Sequence, residues 1–440
     1  MADRPVTLGG EWRPSPGATP APCTVELGPE TFAIVPRTGA RIEPRYRDVA
    51  TLATANFGVT LQLDGGMTVE LLRFGPSLAQ LVGTIRERRT RQRLEDRLVR
   101  VPSDPLEAVD AAAGAWSGRA HVVPHPWGLV VSPFEPDGAA VAIRRAEIAE
   151  VSETTATGSV TVRTADGGAV ELRKLGAHAR RHADVARGLA AAAAADAAAI
   201  VEATLPAAPF GTRHRLATLL VDGRPAARTE LGDAWSEARD AFASTGEVAD
   251  HLERLEAAAG SGAATWLAVA PVRPGTPEPK AWFFVAFPSG LVAMEVVTPG
   301  SHATYCFRVG GSGPDALPPS SPGAAAAPGA AGVVAAISNA LVDLRFLREP
   351  IALPVERLAG GGARDYRRAV AEIPSLRTAR AHFVGRIVHD DGWDGAVAEA
   401  DRWVAAGSTG EWPGRSRQEA RIGSIGETED DDAGTTGAEE

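Results

Sequence analysis

The sequence predicts a multi-domain α+β protein whose first half builds one β-rich, helix-terminated unit twice. Two patterns carry that expectation: a hairpin signal around Asp-Gly-Gly that recurs about 101 residues later, and an apolar helical stripe after each hairpin. The chain has 440 residues, of which 44% are hydrophobic and 23% charged. That length gives room for roughly two to four domains, and the composition excludes a wholly disordered chain.

Residues 1–22 read as a flexible N-terminus, and Met1 to Arg13 lack the charged-then-apolar pattern of a secretion signal. The first unit is expected over 23–100. Its strand candidates are Thr31 to Val35 and Val49 to Ala53, followed by Val59 to Leu63, Asp64-Gly65-Gly66, Val69 to Leu71 and Gly75. Alternating apolar residues on both sides of a glycine turn specify a hairpin, because glycine accepts the positive φ of a tight turn. After Gly75 the residues Leu78, Leu81, Val82 and Ile85 share a helical face, and Ser77 with Gln80 behind Pro76 predicts a capping box.

Val101-Pro102-Ser103-Asp104-Pro105 opens a linker expected over 101–119. The second unit, over 120–205, has strand candidates Gly128 to Ser132, Val141 to Arg144 and Ile148 to Val151. Its hairpin is Val160 to Thr164, Asp166-Gly167-Gly168, Val170 to Leu172 and Gly176. Several antiparallel strands ending in one helix suit a small barrel whose open end the helix covers.

At Val141 to Val151, and at Val170-Glu171-Leu172 followed by a helix, the chain resembles the pleckstrin-homology-like (PH-like) fold, including its bacterial and GRAM-type members. The resemblance covers about residues 24–100 and 120–205. It implies two tandem PH-like barrels, each closed by a C-terminal helix, and a binding role rather than a reaction.

An α+β domain is expected over 206–350. It holds helical sequence from Ala226 to Ala259, strands at Thr265 to Pro271, Trp282 to Phe287, Leu291 to Val297 and Ala303 to Val309, and a helix at Val333 to Phe346. The Gly, Pro, Ser and Ala run over 310–332 predicts a disordered insertion. The strands and the helix after it suggest a third, diverged unit of the same kind. A helical segment is expected over 351–407, at Ala363 to Ile373, Ser375 to Val388 and Trp393 to Val404, and a disordered acidic tail over 408–440.

Charge and motifs bound the function. The net charge is −10, of which the acids of the last 14 residues supply −7, so the body is near neutral and nucleic acid is not an expected partner. All but Lys174 and Lys280 of the 45 basic side chains are arginine, the bias of a GC-rich genome. Neither lysine follows a glycine, which excludes a Walker loop, and no Gly-x-Ser-x-Gly or His-Glu-x-x-His occurs. Cys23 and Cys306 are too few for a disulfide scaffold or a cysteine-rich zinc site and fit a reducing compartment, so the chain is expected in the cytoplasm. No apolar run is long enough for a transmembrane segment.

His178 and His182 sit at i, i+4, where packing is favoured over metal ligation, and His389-Asp390-Asp391 reads as a solvated turn stopped by Gly392. The arginines from Arg86 to Arg97 read as a surface helix. Arg37, Arg41, Arg45 and Arg47 fall where the resemblance places the first strand, first loop and second strand, and they are the candidate anion site. The leading expectation is therefore a non-enzymatic cytoplasmic adaptor without metal or cofactor, whose barrels and strand edges engage an as yet unknown protein or peptide partner. The alternative is attachment to anionic lipid or a phosphorylated headgroup through those four arginines.

Overall fold

The structure, a computed structural model, describes residues 6–15, 17–55, 57–63, 66–97, 106–134, 140–244, 248–298, 302–310, 329–358, 364–408 and 410–425. The chain divides into two compact units, residues 1–190 and 191–440.

The first unit begins with a strand. β1 (Val6–Arg13) is followed by β2 (Ala21–Leu27), β3 (Phe32–Pro36), β4 (Val49–Ala55), β5 (Gly58–Leu63), β6 (Thr68–Leu72) and α1 (Ser77–Asp96). The antiparallel order is β3-β2-β1-β6-β5-β4, so β1 sits at the centre of the sheet and Val6–Arg13, with Ala21 and Pro22 of β2, belong to the domain. The expected flexible N-terminus is thus corrected. Gly9-Gly10 hides the strand in the sequence, and Gly10 is needed because the Phe74 ring lies where a side chain would project, 2.5 Å from an added Cβ. Inward residues alternate along the strands, as Cys23, Val25 and Leu27 or Val59, Leu61 and Leu63, and meet Leu81, Val82 and Ile85 of α1. Pro76 occupies the N-cap of α1 with no side-chain cap hydrogen bond, so the Ser77–Gln80 capping box does not form.

A second sheet completes this unit: β7 (Ala108–Ala113), β8 (Trp116–His125), β9 (Gly128–Pro133), β10 (Val141–Arg144), β11 (Ile148–Thr154), β12 (Ser159–Thr164) and β13 (Ala169–Arg173), then α2 (Ala179–Thr204). Its order is β10-β9-β8-β7-β13-β12-β11. The expected linker over 101–119 therefore contains β7 and the start of β8; alanines at 108 and 111–113 gave β7 no strand signature. Neither sheet closes into a barrel among the described residues. Each ends in two edge strands, β3 and β4 in the first, β10 and β11 in the second.

The two sheets match in detail. A 3-10 turn at Tyr46–Asp48 is tied by the Arg45 N–H donating to Asp48, and its counterpart at Arg145–Glu147 by the Arg144 N–H donating to Glu147. A bulge follows each, after Val49 and after Ile148. Left-handed backbone falls at Phe57, Gly66, Arg73 and Gly75, and 101 residues later at Gly158, Gly167, Lys174 and Gly176. Arg73 pairs with Glu11 at 2.8 Å, as Lys174 does with Asp110 at 2.9 Å.

α1 is more than a surface helix. Beyond Ile85 its residues Arg89, Thr90, Gln92, Leu94 and Asp96 are buried, with Leu94 packed on Val123 and Val130 of the second sheet. Arg89 donates to the Ala50 carbonyl at 2.8 Å, which explains one burial the charge pattern concealed.

The second unit holds α3 (Phe210–Leu219), β14 (Ala226–Ala227), α4 (Arg228–Leu231), α5 (Trp235–Ala243) and α6 (Ala249–Ala259), then β15 (Ala264–Pro271), β16 (Pro279–Ala286), β17 (Leu291–Val297) and β18 (Ala303–Arg308). There follow α7 (Ala330–Asp343), α8 (Glu349–Ala352), α9 (Val355–Leu358), α10 (Arg364–Glu372), α11 (Pro374–His382), β19 (Phe383–Val388), α12 (Trp393–Ala405) and α13 (Arg415–Ile425). The sheet order, β14-β15-β16-β17-β18-β19, runs straight along the chain and differs from that of the first two sheets, so a third copy of their unit is not what this region builds. Its central strands are buried on both faces. Phe283 and Val285 pack with Leu252 and Leu255 of α6, while Trp282 on the opposite face donates to Ser338 of α7 at 2.8 Å.

Two further expectations change here. The helix expected over Ser375 to Val388 ends at His382, and Phe383–Val388 pairs with β18 as the last strand, so 351–407 is not wholly helical. The expected tail contains α13, with Gln418 accepting from the Val388 N–H at 3.1 Å and Glu419 paired to Arg386 at 2.6 Å. Residues 311–328 of the expected insertion and the acidic run over 426–440 lie outside the described residues.

Candidate functional site

The first sheet and α1 frame a cleft of about 560 Å³. β4 brings Thr54 to one wall, α1 brings Leu78, Val82, Gly83 and Arg86, and the second sheet brings His121 and Phe134. β4 is the terminal strand, so its outer row of backbone N–H and C=O groups has no strand partner among the described residues. Phe134 carries the guanidinium of Arg86 at 5.4 Å and that of Arg119 at 6.0 Å from its ring centre. His121 lies 4.5 Å from the same ring and its Nδ1 is 3.1 Å from Thr90 Oγ1. Burial, reinforced by Arg91, Arg119 and Arg86 against the pull of Glu87, pushes its pKa down to about 4, so the ring is neutral at pH 7.

The four candidate anion-binding arginines are not gathered into one cradle. Arg47 turns onto α1, 2.5 Å from Asp96, with its N–H donating to Gln92 at 2.9 Å. Arg41 is held by Glu26 at 2.8 Å and Glu43 at 2.9 Å, which raise its pKa further. The Arg45 backbone caps the 3-10 turn, and Arg37 is exposed. With Glu95 also 3.9 Å from Arg47, four acidic partners already occupy two of the four guanidinium groups.

The His178/His182 pair separates as well. His178 is exposed, whereas His182 takes the place of Leu81 on the second helix and lies 3.1 Å from Glu107. No group of three or more His, Cys, Asp or Glu side chains able to hold a metal occurs among the described residues. Both cysteines are buried. Burial drives the Cys23 thiol up to about 11 and Cys306 higher still, so both stay protonated at pH 7.

No family model and no curated protein matches the chain. Among solved structures it is similar to the Spt16D Pob3N heterodimer, at 13% identity over 38% of this chain and 87% of that one, with a TM-score of 0.18. A score that low leaves the architecture to be argued from the strands themselves.

One constellation in the second unit escaped the sequence reading. Glu295 on β17 is fully buried, accepts the hydroxyl of Thr304 and stands 3.2 Å from His389 Nε2. Thr304 also accepts Trp393 Nε1–H at 2.7 Å. The His389 ring stacks on His251 of α6 at 3.8 Å, and burial followed by the neighbouring His389 lowers the His251 pKa. His389 is therefore packed, not part of a solvated turn. The signal was available: Glu295 is the lone charge in Leu-Val-Ala-Met-Glu-Val-Val, and a carboxylate inside an all-apolar strand requires a buried partner. With Glu295 sealed from solvent, the group ties β17, β18, α6 and α12 together.

Proposed function

We propose that the first unit is a pair of tandem PH-like modules and that the protein is a non-enzymatic adaptor that takes an extended peptide into the cleft between β4 and α1. The observation that carries this reading is the outer edge of β4 beside that cleft, which has no strand partner among the described residues although Arg89 holds the Ala50 carbonyl. An added strand would satisfy the edge while its alternate side chains entered between Leu78, Val82 and Phe134. The dispersal of Arg37, Arg41, Arg45 and Arg47 gives the headgroup alternative no comparable support. No described helix is long and apolar enough to cross a membrane.

Gly83 makes a clean test, since a side chain built there meets no atom within 4 Å and would project into the cleft. Peptides selected against the whole protein should lose at least 10-fold in affinity for Gly83→Arg, with no fall in melting temperature, because arginine is the better helix former. Selected peptides that bind Gly83→Arg equally well would refute the site. Sedimentation of the wild type with anionic vesicles at physiological salt, abolished by Arg41→Ala with Arg45→Ala, would return the function to the membrane.

A further inference from the structure

The second sheet and α2 line a pocket of about 210 Å³ that adjoins the cleft just described at Leu106. Its floor is the sheet's own core, Val122, Leu129, Val162 and Leu172, none more than 4% exposed. Its mouth is polar: Glu107 stands 3.1 Å from His182 Nε2 and 4.0 Å from Arg181.

The matching strands explain why space remains there. Val25 faces Ile34 across the first sheet as Val122 faces Val131 across the second, which makes Phe32 the counterpart of Leu129. The 101-residue offset of the later strands makes Leu61 the counterpart of Val162, and Leu81 that of His182. The three larger residues are fully buried in the first sheet's core. Further along the same helix Leu78, Val82 and Ile85 give way to Ala179, Ala183 and Ala186. The second core is short of side-chain volume beside His182.

We infer that this cavity is a binding site for a small apolar molecule of about eight heavy atoms that ends in an uncharged hydroxyl. The size follows from scale, since an apolar cavity of about 150 Å³ takes up benzene. The hydroxyl follows from the mouth. Glu107 and Arg181 cancel in charge, so a charged head gains nothing from the pair and loses its hydration, whereas a hydroxyl can donate to Glu107 and accept from Arg181. The apolar floor excludes a second polar group.

Benzyl alcohol, toluene and benzoate titrated into the full chain, followed by methyl NMR, test the assignment. Benzyl alcohol should shift the Val162 and Leu172 methyl groups saturably, toluene should bind more weakly, and benzoate should leave them in place. Leu129→Phe with Val162→Leu, the residues the first sheet uses, should weaken benzyl alcohol at least 10-fold. Wild-type methyl resonances that stay fixed to 10 mM (on the order of the weakest useful affinity) would overturn the site, with or without a folded variant. Equal affinity in the filled variant would do the same, and benzoate binding tighter than the alcohol would overturn the uncharged head.

Discussion

The first and second sheets share strand order, bulge, capped turn and left-handed positions, yet they fill their interiors differently. The first packs Phe32, Tyr46, Leu61 and Leu81 inside. The second places Leu129, Arg145, Val162 and His182 at those positions, and Arg145 is nonetheless only 1% exposed, with its guanidinium 5.3 Å over Trp127. The same topology is thus reached with side chains of different size and polarity at these four core positions.

That difference can be broken at several points. The largest effect is expected at the shared turn. Gly158 adopts φ +59° and a side chain there would meet the Gly176 backbone nitrogen at 2.7 Å, so Gly158→Ala should cost about 3 kcal/mol or more in urea unfolding. Leu81→Ala should cost about 2 to 5 kcal/mol, as a large side chain lost from a filled core. His182→Ala, at the matching position beside an existing cavity, should cost less; an equal loss would show the second core to be as tightly filled as the first.

His121 supplies the pH arm. Its folded pKa, near 4, lies below the ordinary 6.5, so the unfolded chain binds the extra proton between those values. Its contribution is complete above pH 6.5 and is lost as pH falls toward 4, on the order of 3 kcal/mol in all. His121→Phe should flatten that segment of the stability curve; an unchanged slope would place the dependence elsewhere. The smallest effect has the opposite sign. Phe57 holds φ +59° while 90% exposed, and replacing it with glycine, the residue of the second sheet, should stabilise the first by about 1 kcal/mol.

The sequence made the later strands of both sheets legible, because alternation of Val59, Leu61 and Leu63 around a glycine turn is a local signal. β1 and β7 were not legible: Gly9-Gly10 and the alanines of Ala108–Ala113 have no strand preference, and their place is set by pairing on both sides, with β2 and β6 for β1 and with β8 and β13 for β7. β19 was lost to the helical pattern of the segment before it. The four arginines looked like one group because spacing along the chain says nothing of Asp96, which claims Arg47 from the far end of α1. The cleft was invisible for the same reason, since its walls come from three stretches far apart in sequence.

Glu295 has a consequence for shortened forms of the chain. Its partner His389 arrives 94 positions later in the chain, just beyond β19. Without that segment Glu295 keeps the Thr304 hydroxyl but loses the imidazole beside its other oxygen, inside an apolar layer. A polypeptide cut before Phe383 should therefore leave this carboxylate half-satisfied, however complete β15 to β18 may be.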